Sequence, residues 1–264
     1  MDESPAVPGD GTPVTPVGAP PKRRSRVSVV GVIGELLLTA GVITLLFVVW
    51  QLWLGDMIYG AQRNAEGAQL SQSWAEDYIP STERPEPADE GSVPTTAEPI
   101  VLAQPKDAEV FGILHIPRFG TDYAFKVAGG ISRENTLDPI GVGHYPGTAM
   151  PGEVGNFAVA AHRTTWGKPF NRIADLHVGD AIVIETKGGW YAYRFRTLEY
   201  VHPDAGEVLL PVPQSTAENT GERYMTMTSC SPMYAMSERI VAYSVFESFT
   251  PRSAGAPDSL KTVA

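Results

Sequence analysis

A chain of 264 residues that is 43% hydrophobic has enough apolar material for one good-sized core plus accessory segments, and a single folded domain is the economical reading. Its formal net charge of −10 argues against nucleic acid as a partner. The lone cysteine, Cys230, excludes an intramolecular disulfide.

Residues 1–26 are rich in Pro, Gly, Thr and Ser and end in the basic cluster Lys22, Arg23, Arg24 and Arg26. They lack large apolar residues to bury and are expected to be a disordered cytosolic arm. The apolar stretch 27–54 follows. Its strongest part, Leu36 to Leu54, spans about 19 residues, or ~28 Å as a helix, close to the ~30 Å core of a bilayer. One transmembrane helix is expected there, with Glu35 near the inner interface and Trp50, Trp53 and Tyr59 in an aromatic belt on the far side. The basic flank keeps the N-terminus in the cytoplasm, so the rest of the chain is expected outside the cell membrane. A cleaved signal peptide is the rival reading, but the stretch is long for one and no small-x-small site follows it closely.

Residues 55–105 read as a juxtamembrane segment and linker. Asp56 to Tyr78 is polar with scattered Ala and Gln and suits a short helix, whereas Pro80 to Pro105 is rich in Pro, Glu and Thr. Extended, those roughly 25 residues at ~3.1 Å each reach up to ~78 Å. A catalytic domain is expected over 106–250, with a flexible tail over 251–264.

That domain is β-rich. Strands are expected over Val110 to Ile116, Ala124 to Val127, Asn156 to Ala161, Ala181 to Thr186 and Trp190 to Thr197, with Lys187-Gly188-Gly189 as a hairpin turn. Ser132 suits the cap of a short helix over Arg133 to Leu137, and another is expected over Phe170 to Leu176. Many short strands between Gly and Pro turns point to a closed barrel.

The chemistry concentrates near the C-terminal end. Thr226-Met227-Thr228-Ser229-Cys230 suits a strand, Pro232 marks a loop, and Ile240 to Phe246 suits a second strand opened by Arg239. Neighbouring strand ends would then present a thiol and a guanidinium, an arrangement for attacking a carbonyl and holding the charge that develops on its oxygen. A thiol of pKa ~8.5 is only about 3% ionised at neutral pH, so a histidine partner is needed. His162 is the best placed, closing the apolar run Phe157 to Ala161. His115 and His202 sit beside prolines, His177 precedes a turn, and His144 in Gly-His-Tyr-Pro reads as a wall residue. No paired-cysteine or His-Glu-x-x-His spacing calls for a metal, and no phosphate-binding or serine-nucleophile motif calls for another cofactor or chemistry.

Asn156-Phe157-Ala158-Val159-Ala160-Ala161-His162-Arg163, the run ending at Cys230, and Arg239 resemble the sortases. Gly143-His144-Tyr145-Pro146-Gly147-Thr148 is most similar to the class E branch of high-GC Gram-positive bacteria, the actinobacteria. The resemblance spans roughly Val110 to Phe249. It implies an all-β fold, an eight-stranded β-barrel with short helices, preceded by one transmembrane helix. It further implies a membrane-anchored cysteine transpeptidase with His162, Cys230 and Arg239 as catalytic residues and Tyr145, Thr228 and Ser229 in the substrate site. Partners would be secreted proteins carrying a C-terminal Leu-Ala-x-Thr-Gly type signal and a lipid-linked peptidoglycan precursor amine, with hydrolysis when no acceptor is present. Tyr145 would narrow the pocket in favour of alanine over proline. Some sortases use calcium, but the carboxylates here are dispersed. The chain departs from the usual pattern at Ala161 (Gly), Ser229 (Thr) and Met227 (Leu). A pilin-polymerising sortase or a cysteine hydrolase would use the same three residues, and a membrane-tethered binding domain is the non-enzyme alternative.

Overall fold

The structure, a computed structural model, describes residues 28–50, 55–78, 97–219 and 221–261. The arm expected over 1–26, Trp53 and most of the linker lie outside them. Contacts divide the chain after Val48 into two units.

The first unit carries helix α1, Val29–Val49, which is apolar on every side and has Glu35 as its one charged residue. Its mean hydropathy over the most apolar window is 2.4. At 1.5 Å per residue it is about 32 Å long, the thickness of a bilayer's hydrocarbon core, which makes it a candidate membrane span. The hydroxyls of Thr39 and Thr44 donate back to the carbonyls of Glu35 and Ala40, so its side-chain donors are satisfied within the helix, as a lipid environment requires.

The second unit opens with α2, Gly55–Glu76, and continues into eight strands: β1 Val110–His115, β2 Phe125–Gly129, β3 Val142–His144, β4 Gly155–Ala161, β5 Ala181–Thr186, β6 Gly189–Val201, β7 Arg223–Ser231 and β8 Glu238–Pro251. They close into a barrel in the order β1-β2-β3-β4-β7-β8-β6-β5. Only β2–β3 and β4–β7 pair in parallel. Alternation sends one face of each strand inward: Phe125 and Val127, Phe157 and Val159, Ile182 and Ile184, Tyr191 and Tyr193, Met225 and Met227, Ile240 and Ala242 meet in one buried cluster. The fold is thus the expected eight-stranded barrel with short helices. Strand β3 was not foreseen. The Ser132-capped turn Arg133–Leu137 forms as a short π-helical turn, its cap oxygen accepting from the Asn135 N–H at 3.0 Å, whereas Phe170 to Leu176 yields only a 3-10 turn over Ile173–Asp175.

Three segments at the borders of the barrel pack on it. The short helix expected from Asp56 forms as α2 and is docked on β1 and β2. Trp74 is buried against Ile113 and Ala124, Asn64 accepts from the Ala124 N–H at 2.8 Å, and a Cβ on Gly67 would come within 2.1 Å of the Ala124 carbonyl. Tyr59 belongs to this helix and tilts against Trp166, with ring centroids 5.9 Å apart. Second, the end of the linker lies on the barrel: Tyr191 donates to the Ile100 carbonyl and Gln104 to the Thr148 carbonyl. Third, the expected flexible tail begins with a buried arginine. Arg252 donates to Glu185 at 2.8 Å and to the Thr186 carbonyl at 2.6 Å and lies 4.6 Å over the Trp190 ring. Glu185, on β5, is buried with a charge to neutralise, and its partners come from α2 (Ser71), β1 (His115) and this tail.

Candidate active site

Two strand pairings set the site. The parallel β4–β7 register ends with Ala160 beside Thr228, so two residues further on His162 falls level with Cys230. In the antiparallel β7–β8 pair, Cys230 stands directly opposite Arg239, a position where Cβ atoms are about 4.5–5.5 Å apart. All three residues are half-buried, open enough for a substrate and close enough to the barrel rim to be held. Arg239 is steadied by donating to the Glu238 and Met236 carbonyls at 2.9 and 3.2 Å.

Strand alternation sorts the flanking residues. Thr226, Thr228 and Cys230 share one face of β7; Met225, Met227 and Ser229 share the other. On the first face a cavity of about 140 Å³ is lined by Thr228, Arg239, Val241 and Tyr145 together with the loop from His202 to Leu209. The Tyr145 hydroxyl and Thr228 Oγ1 are 2.9 Å apart, and the Tyr145 N–H donates to the Ala158 carbonyl, which fixes the tyrosine as a wall. Ser229 does not line that cavity. Out of phase with its neighbours, it is buried and donates to the Ala161 carbonyl at 2.8 Å.

The far wall is pinned by Asn156. Its buried amide donates to the Val208 and Leu210 carbonyls at 3.0 and 3.1 Å and accepts from the Thr226 hydroxyl at 2.8 Å. The β6–β7 loop is thereby tied to the strands that carry the site.

The other histidines lie elsewhere or serve packing. His144 is buried, stacks on Phe157 with centroids 5.3 Å apart and contacts the Ala149 carbonyl at 3.0 Å; burial holds its pKa below the ordinary value, the Ala149 bond opposing. His115 pairs with Glu185. His202 lies on the cavity loop with its ring turned to Asp204 at 2.5 Å. Among the described residues no cluster of three His, Cys, Asp or Glu side chains is suited to a metal ion.

Residues 114–247 match the family model of the sortase domain. The chain belongs to the sortase family. It is 35% identical over 234 residues to sortase SrtE1 of Streptomyces coelicolor, covering 86% of this chain and 60% of that relative, and so spans less than two thirds of SrtE1. It is 30% identical to SrtE2 of the same organism, covering 81% of this chain and 80% of that one. A crystal structure of sortase E1 from S. coelicolor with a tripeptide in the active site is similar in fold, with a TM-score of 0.54, 36% identity, and coverage of 60% of this chain and 99% of that one. The similarity is to class E sortases.

Two polar residues of this sortase escaped the sequence reading. Asp138, just past the Ser132-capped turn, accepts from His162 Nε2 at 2.6 Å. Arg163 is buried and donates through Nη1 to the Cys230 carbonyl at 3.3 Å, while its Nε has no partner among the described residues. Asp138 could have been sought as the residue between a capped turn and Pro139, but its meeting with His162 depends on strand pairing far along the chain. Arg163, next to His162 in the same run, brings a buried positive charge beneath the strand end that carries the thiol.

Proposed function

We propose that this protein is a membrane-anchored transpeptidase that cleaves between Thr and Gly of a Leu-Ala-x-Thr-Gly type signal and joins the released carbonyl to a peptidoglycan precursor amine. The observation that carries the reading is the lone cysteine set opposite Arg239 and level with His162 at the rim of the barrel.

Cys230, as thiolate, adds to the threonine carbonyl. The negative charge that develops on the oxygen is met by Arg239, a donor fixed in place before the reaction begins. His162 gives a proton to the departing glycine amine, and the C–N bond breaks to leave a thioester on Cys230. The incoming amine then gives a proton to His162 as it attacks, and the C–S bond breaks to return the thiolate. Water in place of the amine gives hydrolysis. Tyr145 and Thr228 border the residue before the x position and favour alanine there over the bulkier proline.

The basic cluster before α1 keeps the N-terminus in the cytoplasm and sets the barrel outside, where secreted proteins and wall precursors meet. The similarity to SrtE1 and SrtE2 supports the class E reading. The test is to incubate the full chain in detergent with Ala- and Pro-containing signal peptides and with candidate amines, then weigh the products. Transfer of the peptide up to its threonine onto an amine supports the proposal; products cut at another bond contradict it.

A further inference from the structure

The His162 ring makes a hydrogen bond through Nε2 to Asp138. β3 and β4 run antiparallel with Val142 beside Ala161, so the residue that follows β4 meets the segment that precedes β3. That segment contains Asp138, which caps the turn Arg133–Leu137. The turn holding it is anchored at both ends: Ser132 caps it, the buried Thr136 hydroxyl donates to the Gly129 carbonyl at 3.1 Å, and the Asp138 N–H donates to the Arg133 carbonyl at 2.9 Å. The carboxylate is therefore presented by a braced backbone.

Asp138 Oδ1 and His162 Nε2 are 2.6 Å apart, with the two side chains only 20% and 13% exposed. The competing cation, Arg133, is 3.5 Å from the same oxygen and 68% exposed, so water screens it far more. A carboxylate has no proton to donate, so Nε2 carries the hydrogen and the bond is of the short, charge-assisted kind. Nδ1 is then the ring nitrogen left to exchange protons with the thiol and the leaving amine.

We propose that Asp138 is a positioning residue for the reaction, orienting His162 through Nε2 so that Nδ1 carries the proton between Cys230 and the two amines. The proposal rests on the transpeptidase reading given above. It extends the usual nucleophile and base by the third group that so often aims the base. A purely architectural Asp138, bracing the turn alone, would affect stability and leave the ring untouched.

The experiment uses the full chain in detergent, with Asp138→Asn, which keeps the size and an acceptor oxygen but removes the charge, and Asp138→Ala, which removes both. For peptide cleavage, Asp138→Ala is expected to lower kcat about 10- to 100-fold with KM nearly unchanged, short of the ~10²–10⁴ that a general acid–base group itself supplies; Asp138→Asn is expected to fall between. In parallel, nitrogen-15 NMR of labelled histidines, with His162→Gln identifying the resonance, reads the tautomer of the neutral ring in resting protein. Wild type is expected to show the hydrogen on Nε2, and Asp138→Ala to lose that preference at an unchanged fold. A wild-type ring with its hydrogen on Nδ1, or an unchanged kcat in both variants, would overturn the proposal. The ring spectrum needs no substrate. A wild type that shows Nε2–H yet transfers no peptide therefore counts against the transpeptidase reading, and with it the catalytic role of Asp138, while upholding the contact itself.

Discussion

Ser229 donates its hydroxyl to the carbonyl of Ala161 at 2.8 Å, tying the residue before the proposed nucleophile to the residue before the proposed base. Both positions depart from the usual sortase pattern, Ser for Thr and Ala for Gly, and the departures meet in one buried bond. Ser229→Ala should cost about 1 kcal/mol of stability, the net worth of a typical hydrogen bond, and should lower kcat because the two strand ends lose a tie. Ser229→Thr keeps the hydroxyl and should retain both. Melting temperatures and peptide turnover of the two variants check this; equal behaviour of Ala and Thr variants would remove the bond from the account.

Tyr145 forms a wall beside Thr228. Discrimination by a ring-sized difference in a packed pocket is worth roughly 1 to 3 kcal/mol, or about 10- to 200-fold. Wild type should prefer the Ala-containing signal, and Tyr145→Ala should reduce its turnover and narrow the gap to the Pro-containing one. Tyr145→Phe, which loses only the hydroxyl contact, should keep most of the preference. Ratios of kcat/KM for the two peptides decide, and an unchanged ratio in Tyr145→Ala takes this residue out of the substrate site.

Acid should unfold the barrel through its buried carboxylates. Burial alone would raise the Glu185 carboxyl, but its bonds to His115, Arg252 and Ser71 outweigh that and hold it below its ordinary 4.5. Asp180 behaves likewise, burial being outweighed chiefly by Arg118. A folded pKa below the unfolded one means stability that is fully present above the unfolded value and is lost as pH falls through the folded one. Denaturation midpoints should therefore be flat above about pH 5 for these groups and drop below it. Arg252→Met leaves Glu185 short of a cation, so it should cost about 3–5 kcal/mol near neutrality and move the acid limb to higher pH. A pH profile indistinguishable from wild type would contradict the assigned pairing.

Helix α2 should be part of the stable unit. Trp74→Ala should cost about 3–5 kcal/mol, as large aromatic truncations in cores do, and a soluble form starting at Lys106 should melt well below one starting at Gly55. Equal melting temperatures would mean that the helix only rests on the barrel.

What could be read from the residues follows from how local the signals are. The strands β7 and β8 were legible because β-branched and aromatic residues fill them, and their shared loop set Cys230 against Arg239 within a few residues. Strand β3 has three residues, too short for any alternation to register. The docking of α2 was hidden by its polar composition, since Gly67, Leu70 and Trp74 carry the packing and the rest faces water or ion pairs. Asp138 and Arg252 were missed for a common reason. Their partners lie 24 and 67 residues away, and only the closed barrel brings them together.

The most direct test of the account is whether Cys230 carries the acyl group. Wild-type protein mixed with an Ala-containing signal peptide, quenched in acid during turnover and weighed intact, should gain the mass of the peptide up to its threonine. The added mass should map to Cys230 and be released by hydroxylamine, and Cys230→Ala should neither gain it nor cleave the peptide while keeping the wild-type melting temperature. Cleavage by Cys230→Ala above background, or an acyl adduct on another residue, would contradict the central claim.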